Sequence, residues 1–193
     1  MTEPRALLPV FLDLSGKRVL VVGAGAVAAR KIDELAALKA TLHVVAPSVV
    51  PEIETRASAG ELMLERRAFE ERDVDGAWFV VASTDDAQVQ ARVAEACAKQ
   101  RVFCIAVDDP PNASAYGGGV VRRGPVTIAI STSGEAPALA RLLREMLEQI
   151  LPDEGYVEAA RALREKWKAE KTPMASRFGE LVQAFKGRST PRE

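Results

Sequence analysis

Histidine is almost missing from this chain, and cysteine, aromatic residues and net charge are scarce with it. One histidine, His43, and two cysteines, Cys97 and Cys104, stand among 193 residues. A Ser-His-Asp triad or a multi-histidine metal site would have to be built around His43 alone. That residue sits inside Thr41-Leu-His-Val-Val45, where a core or sheet-face role is expected. The cysteines have neither CxxC spacing nor ligand company, so they read as buried free thiols in a reducing, cytoplasmic compartment. A net charge of −1 provides no global field toward nucleic acid or an anionic membrane, so any anion site must be local. No apolar run approaches the length of a membrane span, and Leu7–Leu14, interrupted by Pro9 and Asp13, reads as no signal peptide. Repeats and low-complexity tracts are absent too. What is present, 48% hydrophobic and 27% charged residues, suits a packed domain of ordinary size with a smaller appendage.

The most informative stretch is Lys17 to Lys31. The β-branched run Val19–Val22 ends in Gly23-Ala24-Gly25 and turns into an alanine-rich, helix-favouring segment reaching about Ala40. Strand, glycine turn and helix open a dinucleotide-binding βαβ unit. Gly23 allows the tight turn, Gly25 lets a pyrophosphate approach the backbone, and the helix start offers N–H donors. Ala28 holds the third fingerprint position, where a methyl still permits close helix–strand packing.

Further strands are expected at Thr41–Ala46, Leu62–Glu65, Ala77–Ala82 and Arg101–Val107, with helices from Pro51 to Ala59 and after Ser83-Thr-Asp-Asp86. The alternation predicts an α/β fold with a Rossmann-type, doubly wound parallel sheet over residues 1–112. The apolar lead-in Leu7–Leu14 is expected to pack under the first strand. After the second strand comes Ala46-Pro47-Ser48, without the acid that often binds the adenosine ribose, which leaves NAD against NADP open. Ser48 is placed to bond a ribose hydroxyl, and the Pro47 backbone to line the adenine pocket. Thr84 reads equally as a cofactor contact or a plain N-cap. At the fifth strand's end, Asp108 faces the crevice, with Asp109 held extended by Pro110. If burial brings it towards neutrality, Asp108 becomes a proton acceptor; otherwise it is a turn-forming Asx residue.

Residues 113–150 change character. Gly117–Gly119 reads as flexible, Arg122–Pro125 as a hairpin turn and Val126–Ile130 as a strand outside the parallel pattern. Ser131-Thr132-Ser133-Gly134 precedes an amphipathic helix with Leu139, Leu142, Leu143, Met146, Leu147 and Ile150 on one stripe, a second possible anion site. Arg141 and Arg144 lie within that helix, Arg144 equally as part of a solvated face. Pro152 is expected to break it. Residues 151–193 read as a helical C-terminal domain with stripes Tyr156, Ala160, Leu163, Trp167 and Phe178, Leu181, Val182, Phe185, and with 187–193 as a frayed tail.

Taken together, the pieces resemble the bacterial precorrin-2 dehydrogenase family of sirohaem synthesis, also found as the amino-terminal half of sirohaem synthase. The resemblance rests on Leu8-Pro-Val-Phe-Leu12, Gly16-Lys17, Val21–Ala28 with Arg30-Lys31, Leu42–Pro47, Val81–Asp86, Val107–Pro110, Arg123–Ser131 and Gly134–Arg144. It implies NAD⁺-dependent oxidation of precorrin-2 to sirohydrochlorin and, in some members, insertion of Fe²⁺. It further implies a homodimer in which the segment from about Ala113 to Leu147 is exchanged between partners. Carried over by position, the functional aspartate falls on Asp108 and the NAD⁺ contacts on Ala26, Val27, Pro47 and Ser48, beside Gly23, Ala24, Gly25 and Thr84.

A polycarboxylate macrocycle needs local cations and helix-end donors, and Arg122, Arg123, Arg141 and Ser131–Gly134 are the candidates. With no cysteine or multi-histidine ligand set, no metal held by the protein itself is expected. Ala115-Tyr-Gly-Gly-Gly119 departs from the family pattern, and the triple glycine is expected to loosen the crevice floor. Two rivals remain: an NAD(H)-binding regulatory Rossmann module without chemistry, and a chelatase that has lost oxidation.

Overall fold

The computed structural model describes residues 6–151 and 154–186. They form two compact units that divide between Gly117 and Gly118. In the first, β1 (Arg18–Val22), β2 (Thr41–Val45), β3 (Met63–Glu65), β4 (Phe79–Ala82) and β5 (Phe103–Ala106) form one sheet in the order β3-β2-β1-β4-β5. Every pairing is parallel. Strand order therefore reverses between β1 and β4, and their carboxyl ends flank the crevice where such sheets hold ligands.

Residues of β1 explain the layering. Successive side chains alternate in face: Val19 and Val21 join one core with Ala28, Ile32, Leu35, Leu42, Val44 and Ile53, whereas Leu20 and Val22 join the other with Phe69, Val74, Val80, Val93 and Cys97. Helices α1 (Ala26–Ala37) and α2 (Pro51–Ser58) supply the first core, and α3 (Ala87–Gln100) the second. A sheet covered on both faces needs nearly unbroken apolar strands, and β1, β2 and β4 are those. Between β3 and β4 the strict strand–helix alternation fails: a 3₁₀ turn, Glu71–Val74, replaces a full helix. Cys97 and Cys104 are free and buried in the second core. Their mutual hydrogen bond, together with burial, pushes the Cys97 thiol upward.

The lead-in departs from expectation. Only Leu14 enters the core, while Leu8 and Phe11 are 83% and 74% exposed. Pro9 and Asp13 interrupt the apolar run, and the segment before Leu14 forms neither strand nor helix.

His43 is buried in the sheet as part of a charged strap. Arg18 donates to its Nδ1 at 2.5 Å, so Nε2 carries the proton given to Glu65 at 2.7 Å. Arg67 then joins Glu65 to the buried Asp73 through hydrogen bonds of 2.6–2.8 Å. Burial alone would raise the Asp73 carboxyl, but the Arg67 guanidinium and the Glu70 N–H outweigh it and hold it below its usual range. Glu65 is lowered likewise by Arg67 and His43. A depressed carboxyl stabilises the fold above its unfolded value, near pH 4, and that stabilisation is lost as pH falls through the folded value. Urea midpoints measured from pH 7 to pH 2 are expected to drop below about pH 4. Asp73→Asn is expected to flatten that drop and to lower neutral-pH stability by about 2 kcal/mol.

The second unit pairs β6 (Gly119–Arg123) with β7 (Val126–Ile130) as an antiparallel hairpin closed by Gly124-Pro125. Arg122 and Arg123 thus belong to a strand rather than to the turn. Gly118 and Gly119 do not loosen anything. A Cβ on Gly118 would stand 2.0 Å from the Ile130 carbonyl oxygen, and one on Gly119 would stand 3.2 Å from that of Ala140. The glycines permit backbone contact with β7 and with α4 (Pro137–Ile150).

Leu139, Leu142, Leu143, Met146 and Ile150 of α4 are exposed. The helix ends at Ile150, and the expected breaker Pro152 lies outside the described residues, as does the tail 187–193. Helices α5 (Glu154–Ala169) and α6 (Met174–Lys186) pack through Tyr156 stacked on Phe185 at 4.8 Å, and through Trp167 donating to Glu180 at 2.8 Å. Phe178, expected on the packed stripe, is 74% exposed. Among the described residues no helix is long and apolar enough to cross a membrane.

Candidate functional site

A cleft of about 880 Å³ opens at the carboxyl ends of β1, β2, β4 and β5. Gly23, Ala24, Gly25, Ala26, Val27, Pro47, Ser48, Thr84 and Asp108 all line it. Nine residues singled out from scattered stretches thus share one wall-to-wall site within the first unit.

The glycine turn works by two different means. Gly23 has φ +102°, and a Cβ there would lie 2.0 Å from the Ser83 carbonyl oxygen, so only glycine fits. Gly25 has an ordinary φ of −85° as N-cap of α1, and a Cβ there would meet nothing within 4 Å. Its missing side chain leaves cleft space rather than relieving a clash. No side chain caps α1 and its first turn holds no acid. Its amino-terminal N–H groups and dipole therefore face the cleft uncommitted, as an incoming pyrophosphate requires.

Thr84 is not the helix cap. Asp86 is, accepting from the N–H groups of Gln88 and Val89 at 2.8 and 3.1 Å. Thr84 instead accepts from the Asp86 N–H at 3.3 Å and lines the cleft.

Asp108 follows β5 in the left-handed conformation, φ +57°, which aspartate tolerates better than most residues. The Asp109 N–H reaches back to the Ala106 carbonyl at 3.4 Å, closing a turn. Asp109 is less extended than its following proline suggests, at φ −134°, ψ +71°, and accepts from the Asn112 amide at 2.7 Å. Asp108 itself is exposed. The burial expected of this carboxylate is therefore not met within the first unit.

The other predicted residues lie in the second unit. Ser131–Gly134 does not adjoin the helix start, because the N-cap of α4 is Ala136. Within that loop the Ser131 hydroxyl accepts from Ser133 N–H at 3.1 Å, and Thr132 accepts from Ala136 N–H at 3.4 Å. Arg123 donates to the Leu151 and Glu148 carbonyls, capping the end of α4. Arg141 pairs with Glu145 at 2.8 Å and Arg144 with Glu148 at 2.5 Å, both on the helix surface. Arg123 is thereby occupied with backbone, whereas the Arg141 pair is exposed and exchangeable.

Gln90, a residue the sequence does not single out, lines the cleft although it is only 6% exposed. The available signal was its spacing, since Gln90, Val93 and Cys97 fall on the buried stripe of α3. A polar residue on such a stripe requires partners.

A family model described as putative NAD(P)-binding matches residues 10–119, and one described as sirohaem biosynthesis protein, central, matches residues 123–150. The siroheme synthase of Photorhabdus laumondii is 40% identical over 183 residues, covering 94% of this chain and 39% of that protein. The siroheme synthase of Sodalis glossinidius is 46% identical over 146 residues, covering 75% and 31%. The chain therefore spans well under half the length of the curated relatives it matches. Among solved structures, SirC, a precorrin-2 dehydrogenase, superposes with a TM-score of 0.72 at 26% identity, covering 92% of this chain and 88% of that one.

Proposed function

This chain belongs to the putative NAD(P)-binding family, and from that premise we propose that it oxidises precorrin-2 to sirohydrochlorin with NAD⁺. The observation carrying the proposal is the cleft at the strand-order switch, where an uncapped helix start, Ser48, Thr84 and Asp108 converge. The likeness to SirC and to siroheme synthases supports the choice of substrate.

The residues present fit the cofactor. The N–H groups at Gly25–Val27 hold the pyrophosphate, Ser48 bonds a ribose hydroxyl, the Pro47 backbone lines the adenine pocket, and Thr84 contacts the cofactor beyond β4. Bound NAD⁺ supplies the hydride acceptor. Asp108 takes or positions the proton that leaves the macrocycle with the hydride. Arg122, Arg141 and the hydroxyls of Ser131–Gly134 engage substrate carboxylates, with Arg123 holding α4 in place behind them. Insertion of Fe²⁺ as a second substrate, with Asp108 accepting protons from the macrocycle nitrogens, belongs to the same proposal. So do a cytoplasmic setting and a homodimer formed over the exposed apolar face of α4.

An anaerobic assay with precorrin-2 and NAD⁺, with and without Fe²⁺, tests this reading. NADH and sirohydrochlorin are expected together, with a faster rise of sirohaem when Fe²⁺ is added. Light scattering is expected to give twice the mass of one chain. NAD⁺ binding without turnover would leave the regulatory reading in its place.

A further inference from the structure

Gln90 presents a buried polar atom with no partner. The residue is only 6% exposed, and its Oε1 is the one such side-chain atom among the described residues. The amide orientation is fixed chemically: Nε2 donates to the Val107 carbonyl at 2.9 Å. Flipping the amide would set two carbonyl oxygens against each other, so the orphan is an acceptor. A buried acceptor left unmatched is costly, and native proteins supply a partner. Gln90 lines the cleft together with Thr84, Val107 and Asp108, and because Oε1 itself is sealed from solvent, a donor arriving from the cleft meets it by displacing the atoms that cover it.

Topology says which end of a dinucleotide would arrive there. The pyrophosphate and adenosine side lies over β1 and β2, at Gly25 and Ser48. Gln90 belongs to α3, which follows β4, and is bonded to the end of β5, on the opposite side of the switch between β1 and β4. We propose that Gln90 Oε1 accepts a hydrogen bond from the nicotinamide-ribose end of the bound cofactor, while its Nε2 fixes the turn that carries Asp108. The donor is an N–H or O–H, supplied by the carboxamide or by a ribose hydroxyl. One side chain would then couple occupation of the nicotinamide site to the backbone of the proposed proton-handling aspartate.

The inference rests on the cofactor reading above, and calorimetric titration separates the two. If the wild-type protein does not bind NAD⁺, that reading fails; if it binds without dependence on Gln90, only this inference fails. Gln90→Met, close in shape, is expected to weaken NAD⁺ about tenfold while leaving ADP within about twofold. Equal weakening of ADP, or unchanged NAD⁺ affinity, would overturn the proposal. ADP-ribose locates the donor: weakening like that of NAD⁺ assigns a ribose hydroxyl, and no weakening assigns the carboxamide. Gln90→Glu keeps an acceptor while giving up the bond to Val107. It is expected to bind NAD⁺ better than Gln90→Met, and equal loss in both would overturn the acceptor role. In the wild-type protein, the Gln90 side-chain amide resonance is expected to shift on adding NAD⁺ but not ADP. Its failure to shift would sink the idea whatever the variants do.

Discussion

Gly23→Ala is expected to destabilise the nucleotide-binding unit by about 4 kcal/mol or more, among the largest effects of any single substitution in this chain. Two costs combine. At φ +102° an L side chain is strained, and the new methyl would lie 2.0 Å from the Ser83 carbonyl oxygen. Neither partner yields easily, because both are backbone at the ends of adjacent strands, β1 and β4, joined in register from Val19–Phe79 to Val22–Ala82. Relief therefore requires the two strands to part. Two residues on, Gly25→Val is expected to do the reverse. Its Cβ meets open space and its φ is ordinary, so the unfolding free energy should change by less than about 1 kcal/mol. The added side chain fills the space over the α1 start, and NAD⁺ affinity should fall about a hundredfold through lost N–H contacts to the pyrophosphate. Urea unfolding and calorimetric titration on the pair check both claims. A destabilised Gly25→Val that still binds would show the roles assigned to the two glycines to be interchanged.

Asp108→Asn is expected to lower turnover by about two to four orders of magnitude, the usual contribution of a proton-transferring side chain. The substitution is a clean one. The residue sits at φ +57°, which asparagine adopts as readily as aspartate, so backbone strain does not enter. Asp108→Ala would mix loss of the carboxylate with a left-handed alanine. NAD⁺ affinity and thermal midpoint should be unchanged in Asp108→Asn, because the side chain is exposed and only the adjacent backbone is tied, through Asp109 N–H and the Val107 carbonyl. Anaerobic rates with saturating NAD⁺ decide it. A wild-type rate removes the proton-handling role from Asp108.

Local chemistry made much of this legible. A β-branched run, a glycine turn and an alanine-rich helix can pack in few ways, and the unbroken apolar strands could only be covered on both faces. The helix-capping cluster at Ser83–Asp86 was visible as well, although which member caps depended on geometry that spacing does not encode. What stayed hidden was contact between distant segments. Gly118 looked loose because its partner, Ile130, arrives across the hairpin, and glycine's lack of a side chain serves close approach as well as freedom. The lead-in looked like core because hydrophobicity alone does not say whether a surface exists to receive it. Gln90 is hidden in the sequence for a similar reason. A single amide within an apolar stripe gains meaning only when its one bond and its one orphan are both seen.

The two buried thiols carry a consequence of another kind. Cys97 sits on α3 and Cys104 on β5, both sealed in the core, with Cys97 further held in its protonated form by its neighbour and its burial. An alkylating reagent needs a thiolate and access; the hydrogen bond from Cys97 lowers the Cys104 thiol, so Cys104 lacks only access, and that arrives when α3 lifts from the sheet. Rates of labelling therefore count openings rather than surface chemistry. The chain carries its own clock for that motion, and ligands that close the cleft should slow it without touching either sulfur.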